Sequence, residues 1–131
     1  MPICYQIHEE LRLLVTRFEG VVTSSEMLDT YNTILSDSRF RHGFNELADF
    51  NELEMMNVTQ DTFIDLSITV HQFYKGHSEK TRTAILASRN YTYGMGRMYS
   101  GYADPGSEDV EVFKSINEAM VWLNLEPMPI A

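Results

Sequence analysis

Residues 82–87 read RTAILA, a succession of small and branched apolar side chains with no alternation of polar and apolar positions. A strand of that kind is covered on both faces, as at the centre of a parallel sheet flanked by helices. The rest of the chain supplies the other strands and their covering helices. ICYQIH (3–8) alternates, and LRLLVTRFEG (11–20) is rich in apolar and β-branched residues. The short Glu9–Glu10 link makes these two an expected antiparallel hairpin, closed by Gly20.

Thr23-Ser24-Ser25-Glu26 is a capping box, and Met27, Leu28, Tyr31, Ile34 and Leu35 then share one helical face as far as Ser36 or Asp37. NELADF (45–50) reads as a short third strand, and NELEMMNVT (51–59) as a loop ending at the N-cap residue Thr59. Phe63, Leu66, Val70, Phe73 and Tyr74 form the stripe of a second helix, with Gly76 at its C-terminal cap. A turn at 103–107 leads to the strand VEVF (110–113). A second capping box, Ser115-Ile116-Asn117-Glu118, opens a last helix with Ile116, Ala119, Met120 and Leu123 inward, and Pro127 and Pro129 lie in a tail. The order ββαβαβαβα predicts one α/β domain: a mixed, mostly parallel sheet of about five strands with an antiparallel edge strand and four covering helices.

The chain has 131 residues, a net charge of −9 and one cysteine. That charge argues against nucleic acid, since neutralising phosphates takes clustered Lys and Arg. A lone Cys4 forms no internal disulfide and suits a reducing compartment. The start, MPICYQIHEE, lacks the basic end and apolar run of a signal peptide, and no apolar stretch approaches the ~20 residues of a membrane helix. The expectation is a cytoplasmic protein without a membrane span.

SRNYTYGMGRMYSGYADPG (88–106) has the glycines of a phosphate-binding loop but not their spacing. Gly94-Met95-Gly96-Arg97-Met98-Tyr99 places Tyr where the third glycine of a dinucleotide fingerprint belongs, and no Gly-Lys-Ser/Thr follows. No cofactor is expected. Helical period fits better: Tyr91, Met95, Met98, Tyr99 and Tyr102 fall on one inward arc, with Thr92, Arg97 and Ser100 opposite. Tyr91 and Tyr93 begin this helix at the carboxyl end of the fourth strand, the edge where open α/β sheets bind ligands. Met55, Met56 and Asn57 should reach the same edge. With Tyr91, Tyr93 and Met95 they outline a candidate pocket for a small, partly apolar molecule, where Arg97 could meet an acidic group.

Other groupings carry less. Cys4 and His8 share a strand face but stand ~13 Å apart, too far for a thiol and its base. The histidines at 8, 42, 71 and 77 have no metal-ligand spacing, so no metal is expected. Asp49, Glu52 and Glu54 read as solvated surface. No Gly-x-Ser-x-Gly elbow supplies a hydrolase nucleophile, so catalytic residues are not expected. Thr59 combines a helix N-cap with a hydroxyl where the dipole favours added negative charge, which makes it a candidate phospho-switch.

Residues 3–125 resemble the SpoIIAA-like proteins, a branch of the STAS group that includes bacterial anti-sigma-factor antagonists. The likeness is carried by LRLLVTRFEGVVTSSEM, RFRHGFNELADFNELE, YGMGRMY and VEVFKSINEAMVWL. It implies a small α/β domain with a mixed sheet. Antagonists of that group carry a phosphorylatable serine in an Asp-Ser-Ser-Gly type motif at the start of the second helix. Met56-Asn57-Val58-Thr59-Gln60 stands there in this chain, lacks the motif, and offers Thr59 as its hydroxyl. Wider members share a fold with CRAL-TRIO lipid carriers, which implies an apolar ligand at the sheet's carboxyl edge. The leading expectation is a non-enzymatic regulatory domain that binds another protein. A carrier or sensor of a small apolar molecule is the alternative. Homodimerisation stays open, with Trp122 and Val121 lying off the inward stripe of the last helix.

Overall fold

A computed structural model describes residues 2–76, 80–103 and 108–125. The strands are β1 (Ile3–His8), β2 (Leu13–Thr23), β3 (Asn45–Asn57), β4 (Thr81–Leu86) and β5 (Glu108–Phe113). The helices are α1 (Ser24–Ser36), α2 (Gln60–Tyr74), α3 (Asn90–Tyr102) and α4 (Ile116–Trp122), in the predicted order. The sheet order is β1-β2-β3-β4-β5, with β1 antiparallel to β2 and every other pair parallel. The expected turn at 104–107 and the tail from Pro127 lie outside the described residues.

The sheet advances one strand at a time from β2 to β5. Right-handed crossovers then place α1, α2 and α3 on a single face. That face carries Phe18, Val22, Ala48, Phe50, Phe63, Leu66 and Ile85 in one core, and Leu14, Ile34, Phe40 and Phe44 beside it. Only α4 follows β5, and it covers Leu13, Val15, Leu47, Ala84 and Leu86 on the opposite face. RTAILA is therefore buried on both sides, as its composition demands.

Two boundaries differ from expectation for one reason. Gly20 does not end β2. It takes φ +64° at a bulge, where the register with β3 shifts, and the strand continues to Thr23. That continuation gives β3 a partner along Leu53–Asn57, so 51–57 is strand rather than loop. Gly76, at φ +84°, follows α2 where the left-handed cap was expected.

The inward face of α3 also differs. Thr92 and Gly96 are its buried residues, with Tyr99 and Tyr102 partly buried, whereas Tyr91 and Met98 are 46% and 47% exposed. Gly96 sets this rotation. A Cβ there would lie 3.1 Å from Ile85 Cγ2 and 3.1 Å from Val112 Cγ2, so its bare backbone presses on β4 and β5. Helical period marked the wide arc of large residues, but the narrow ridge of Thr92 and Gly96 is what seats against the sheet.

Gly96→Ala is therefore expected to destabilise the fold by about 1–3 kcal/mol in chemical denaturation. Gly94→Ala, where nothing lies within 4 Å of an added Cβ, should be neutral or stabilising, by up to ~1 kcal/mol. Equal effects of the two would contradict this seating.

Candidate functional site

The N-termini of α1 and α2 lie side by side at the carboxyl end of the sheet. Thr23 caps α1: its hydroxyl accepts from the Glu26 N–H at 3.3 Å, and the Glu26 carboxylate accepts from the Thr23 N–H at 2.9 Å. That backbone donor, with the Thr23 hydroxyl, holds the Glu26 carboxyl below its ordinary range. Thr59 caps α2 by accepting from the Thr62 N–H at 3.3 Å. Ser24 ties the two helices together. Its hydroxyl oxygen accepts from the Thr62 hydroxyl at 2.7 Å and from the Thr59 N–H at 3.3 Å. The Thr59 side chain itself is exposed.

The candidate pocket residues differ in exposure and in what they pack against. Met56 is buried in the core, while strand alternation turns Met55 (52% exposed) and Asn57 outward. Tyr91 does meet Met56, but through its hydroxyl, which accepts from the Met56 N–H at 2.9 Å. Tyr93 is half-buried with the Lys114 ammonium 5.2 Å from its ring centre, Met95 packs against the core, and Arg97 is exposed. The winding of the sheet bears on this edge. Ligand crevices in open α/β sheets form where the direction of the crossovers reverses. From β2 to β5 these crossovers all advance the same way. The start of α3 serves instead as an edge cover. β4 pairs with β3 only along Glu46–Asp49, and beyond it Arg89 donates to the carbonyls of Asn51 and Leu53, while the Ser88 N–H donates to Asn51 Oδ1 at 3.0 Å.

The acids near the end of β3 divide. Glu52 and Glu54 are exposed, but Asp49 is buried and lies 3.6 Å from Arg17, its neighbour in register on β2. Cys4 is exposed on the edge strand, and His8 is half-buried. Trp122 packs on Phe113, with the Arg82 guanidinium over its ring and the cluster of Leu13, Val15 and Leu86 beside it. Among the described residues no three His, Cys, Asp or Glu side chains gather as for a metal ion, and no helix is long and apolar enough to cross a membrane.

Sequence reasoning missed a polar cluster inside the helical face. Glu46 Oε2 accepts from the Thr16 hydroxyl at 2.7 Å and the Tyr31 hydroxyl at 2.6 Å. Glu108 accepts from the Tyr99 hydroxyl at 3.0 Å and the Thr83 hydroxyl at 2.9 Å. Burial pushes the Glu46 carboxyl up to about 7; the bonds from Tyr31 and Thr16 oppose that rise, and the Glu108 charge adds to it. Burial, joined by the nearby carboxylates, also drives the Tyr31 and Tyr99 hydroxyls well above their ordinary range. Strand phase held the signal: Glu46 alternates in step with Ala48 and Phe50, and Thr83 with Ile85.

No family model matches the chain, and no curated protein matches it. Among solved structures it is similar to an uncharacterised protein of the DUF3478 family, with a SpoIIAA-like fold, from Shewanella loihica PV-4. The two are 19% identical over 92% of this chain and 93% of that one, with a TM-score of 0.57. At that identity the likeness is one of fold, which by itself assigns no activity. The one-way sheet, its antiparallel edge strand and this likeness together give the chain an α/β SpoIIAA-like fold.

Proposed function

We propose that this chain is a non-enzymatic bacterial regulatory domain of the cytoplasm that works by binding another protein, with the N-terminus of α2 as the contact and Thr59 as its switch. One observation carries the reading: an exposed threonine caps α2 and, through Ser24, is tied to the start of α1. A phosphate there would add a charge of about −1.5 to −2 where the helix dipole favours it. It would also compete for the N–H groups that Thr59 and Ser24 now satisfy, so the junction of the two helices would answer to modification. Ile64 and Ile68, one turn apart and exposed on α2, extend an apolar line away from Thr59 for a partner to cover. The reading is non-catalytic because the perturbed carboxyl Glu46 spends its hydrogen bonds beneath the helices, away from this surface. A carrier of small apolar molecules finds less support, since Met56 is buried in the core and Tyr93 and Met95 pack on it, while Met55, Asn57, Tyr91 and Arg97 are exposed.

Two measurements test this. Thr59→Ala should cost about 1 kcal/mol in chemical denaturation through loss of the cap, while Thr59→Asp, which caps as well, should be close to neutral. For binding, the tagged chain is recovered from its host and the recovered partner is titrated against each variant. Thr59→Glu is expected to weaken an acidic partner by about tenfold or more through like-charge repulsion, and Thr59→Ala to bind as wild type. A Thr59→Glu chain that binds as tightly as wild type contradicts the switch.

A further inference from the structure

The helices are not anchored equally on the sheet. α2 buries Thr62, Phe63, Leu66, Val70 and Tyr74, whereas α1 fully buries only Met27 and Ile34 among its described residues. Leu28, Tyr31 and Leu35 are only partly buried against the core, and the Tyr31 hydroxyl adds a polar tie to the sheet by donating to Glu46 on β3. Two small voids meet at this contact. One, of about 30 Å³ open to the centre of a water molecule, is lined by residues that include Met27, Tyr31, Glu46, Thr83 and Tyr99. The other, of about 20 Å³, shares Tyr31, Glu46, Thr83 and Tyr99 and adds Glu108. Each is large enough for one water and polar enough to hold it.

We propose that Glu46 is a proton-operated latch for α1: neutral, it lets the helix close on the sheet, and ionised, it draws water into the voids beneath and weakens α1's hold. This inference is independent of the protein-contact reading. Among the described residues the titratable groups around Glu46 are Tyr31 on α1, Tyr74 on α2, Tyr99 on α3 and Glu108 on β5. Three are hydroxyls that burial keeps protonated, and the fourth is a carboxyl whose charge opposes a second one. Among the described residues, the groups acting on Glu46 thus include no cation to offset its ionisation.

The sign follows from linkage. With α1 closed, the carboxyl titrates near 7; with α1 open, it regains its ordinary value of about 4.3. The hold on α1 is complete below the open-state value, falls as pH rises toward 7, and is level above it.

Amide hydrogen exchange of the whole protein, corrected for intrinsic rates, reads this directly. From pH 5 to pH 8 the α1 amides should lose at least ~10-fold in protection relative to those of α2 and β3, with the loss levelling above neutrality. In Glu46→Gln, which keeps an acceptor for Thr16 and Tyr31, that relative loss should disappear. Tyr31→Phe removes a bond that favours the carboxylate, so its loss should continue to higher pH before levelling. The latch is overturned if wild-type α1 shows no relative loss, if Glu46→Gln shows the same loss, or if Tyr31→Phe levels at lower pH. Should Glu46→Gln fail to fold, the direction of the Tyr31→Phe shift decides alone.

Discussion

The one-way advance of the sheet from β2 to β5 governs this structure. Because parallel crossovers are right-handed, three helices must share one face. Everything beneath them has to be closed by side chains from α1, α2 and α3 at once. The same winding leaves the opposite face to α4, seven residues long, which covers one apolar patch and leaves Arg17 and Asp49 to pair on the sheet surface. It also brings the starts of α1 and α2 together at the carboxyl end of the sheet. There a single serine hydroxyl joins their caps.

The crowded face explains why buried polar groups matter here. Two carboxyls on it, each bonded by a tyrosine and a threonine, sit where a purely apolar core would be simpler. Satisfied, such groups fix the position of the helix that carries their donor; charged, they strain it. α3 solves the same crowding differently. It removes a side chain altogether at Gly96 and lies directly against Ile85 and Val112. Close approach at α3 and a polar tie at α1 are two answers to one geometric demand.

Much of this was legible in the sequence. The three hydroxyl caps, Thr23, Thr59 and Ser115, lie where the Ser/Thr patterns place them, and the stripes of α1, α2 and α4 face inward as their periods require. What could not be read depended on neighbours. Gly20 reads as a terminator, yet as a bulge it lengthens β2, and only that longer β2 makes strand of Met55 and Met56. The side of α3 that meets the sheet was hidden because large side chains dominate a periodicity argument, while Thr92 and Gly96 win the contact through smallness. Glu46 was overlooked although its strand phase matched Ala48 and Phe50, because a glutamate beside an asparagine reads as surface until Tyr31 and Thr16 are seen above it.

The central claim is that this domain works through a protein contact switched at Thr59. Intact mass spectrometry of the chain isolated gently from its own host, under native and then denaturing conditions, tests it most directly. The account predicts a fraction carrying one phosphate that survives denaturation and maps to Thr59. A bound small molecule lost on denaturation, or a Thr59 left unmodified under every growth condition, contradicts it.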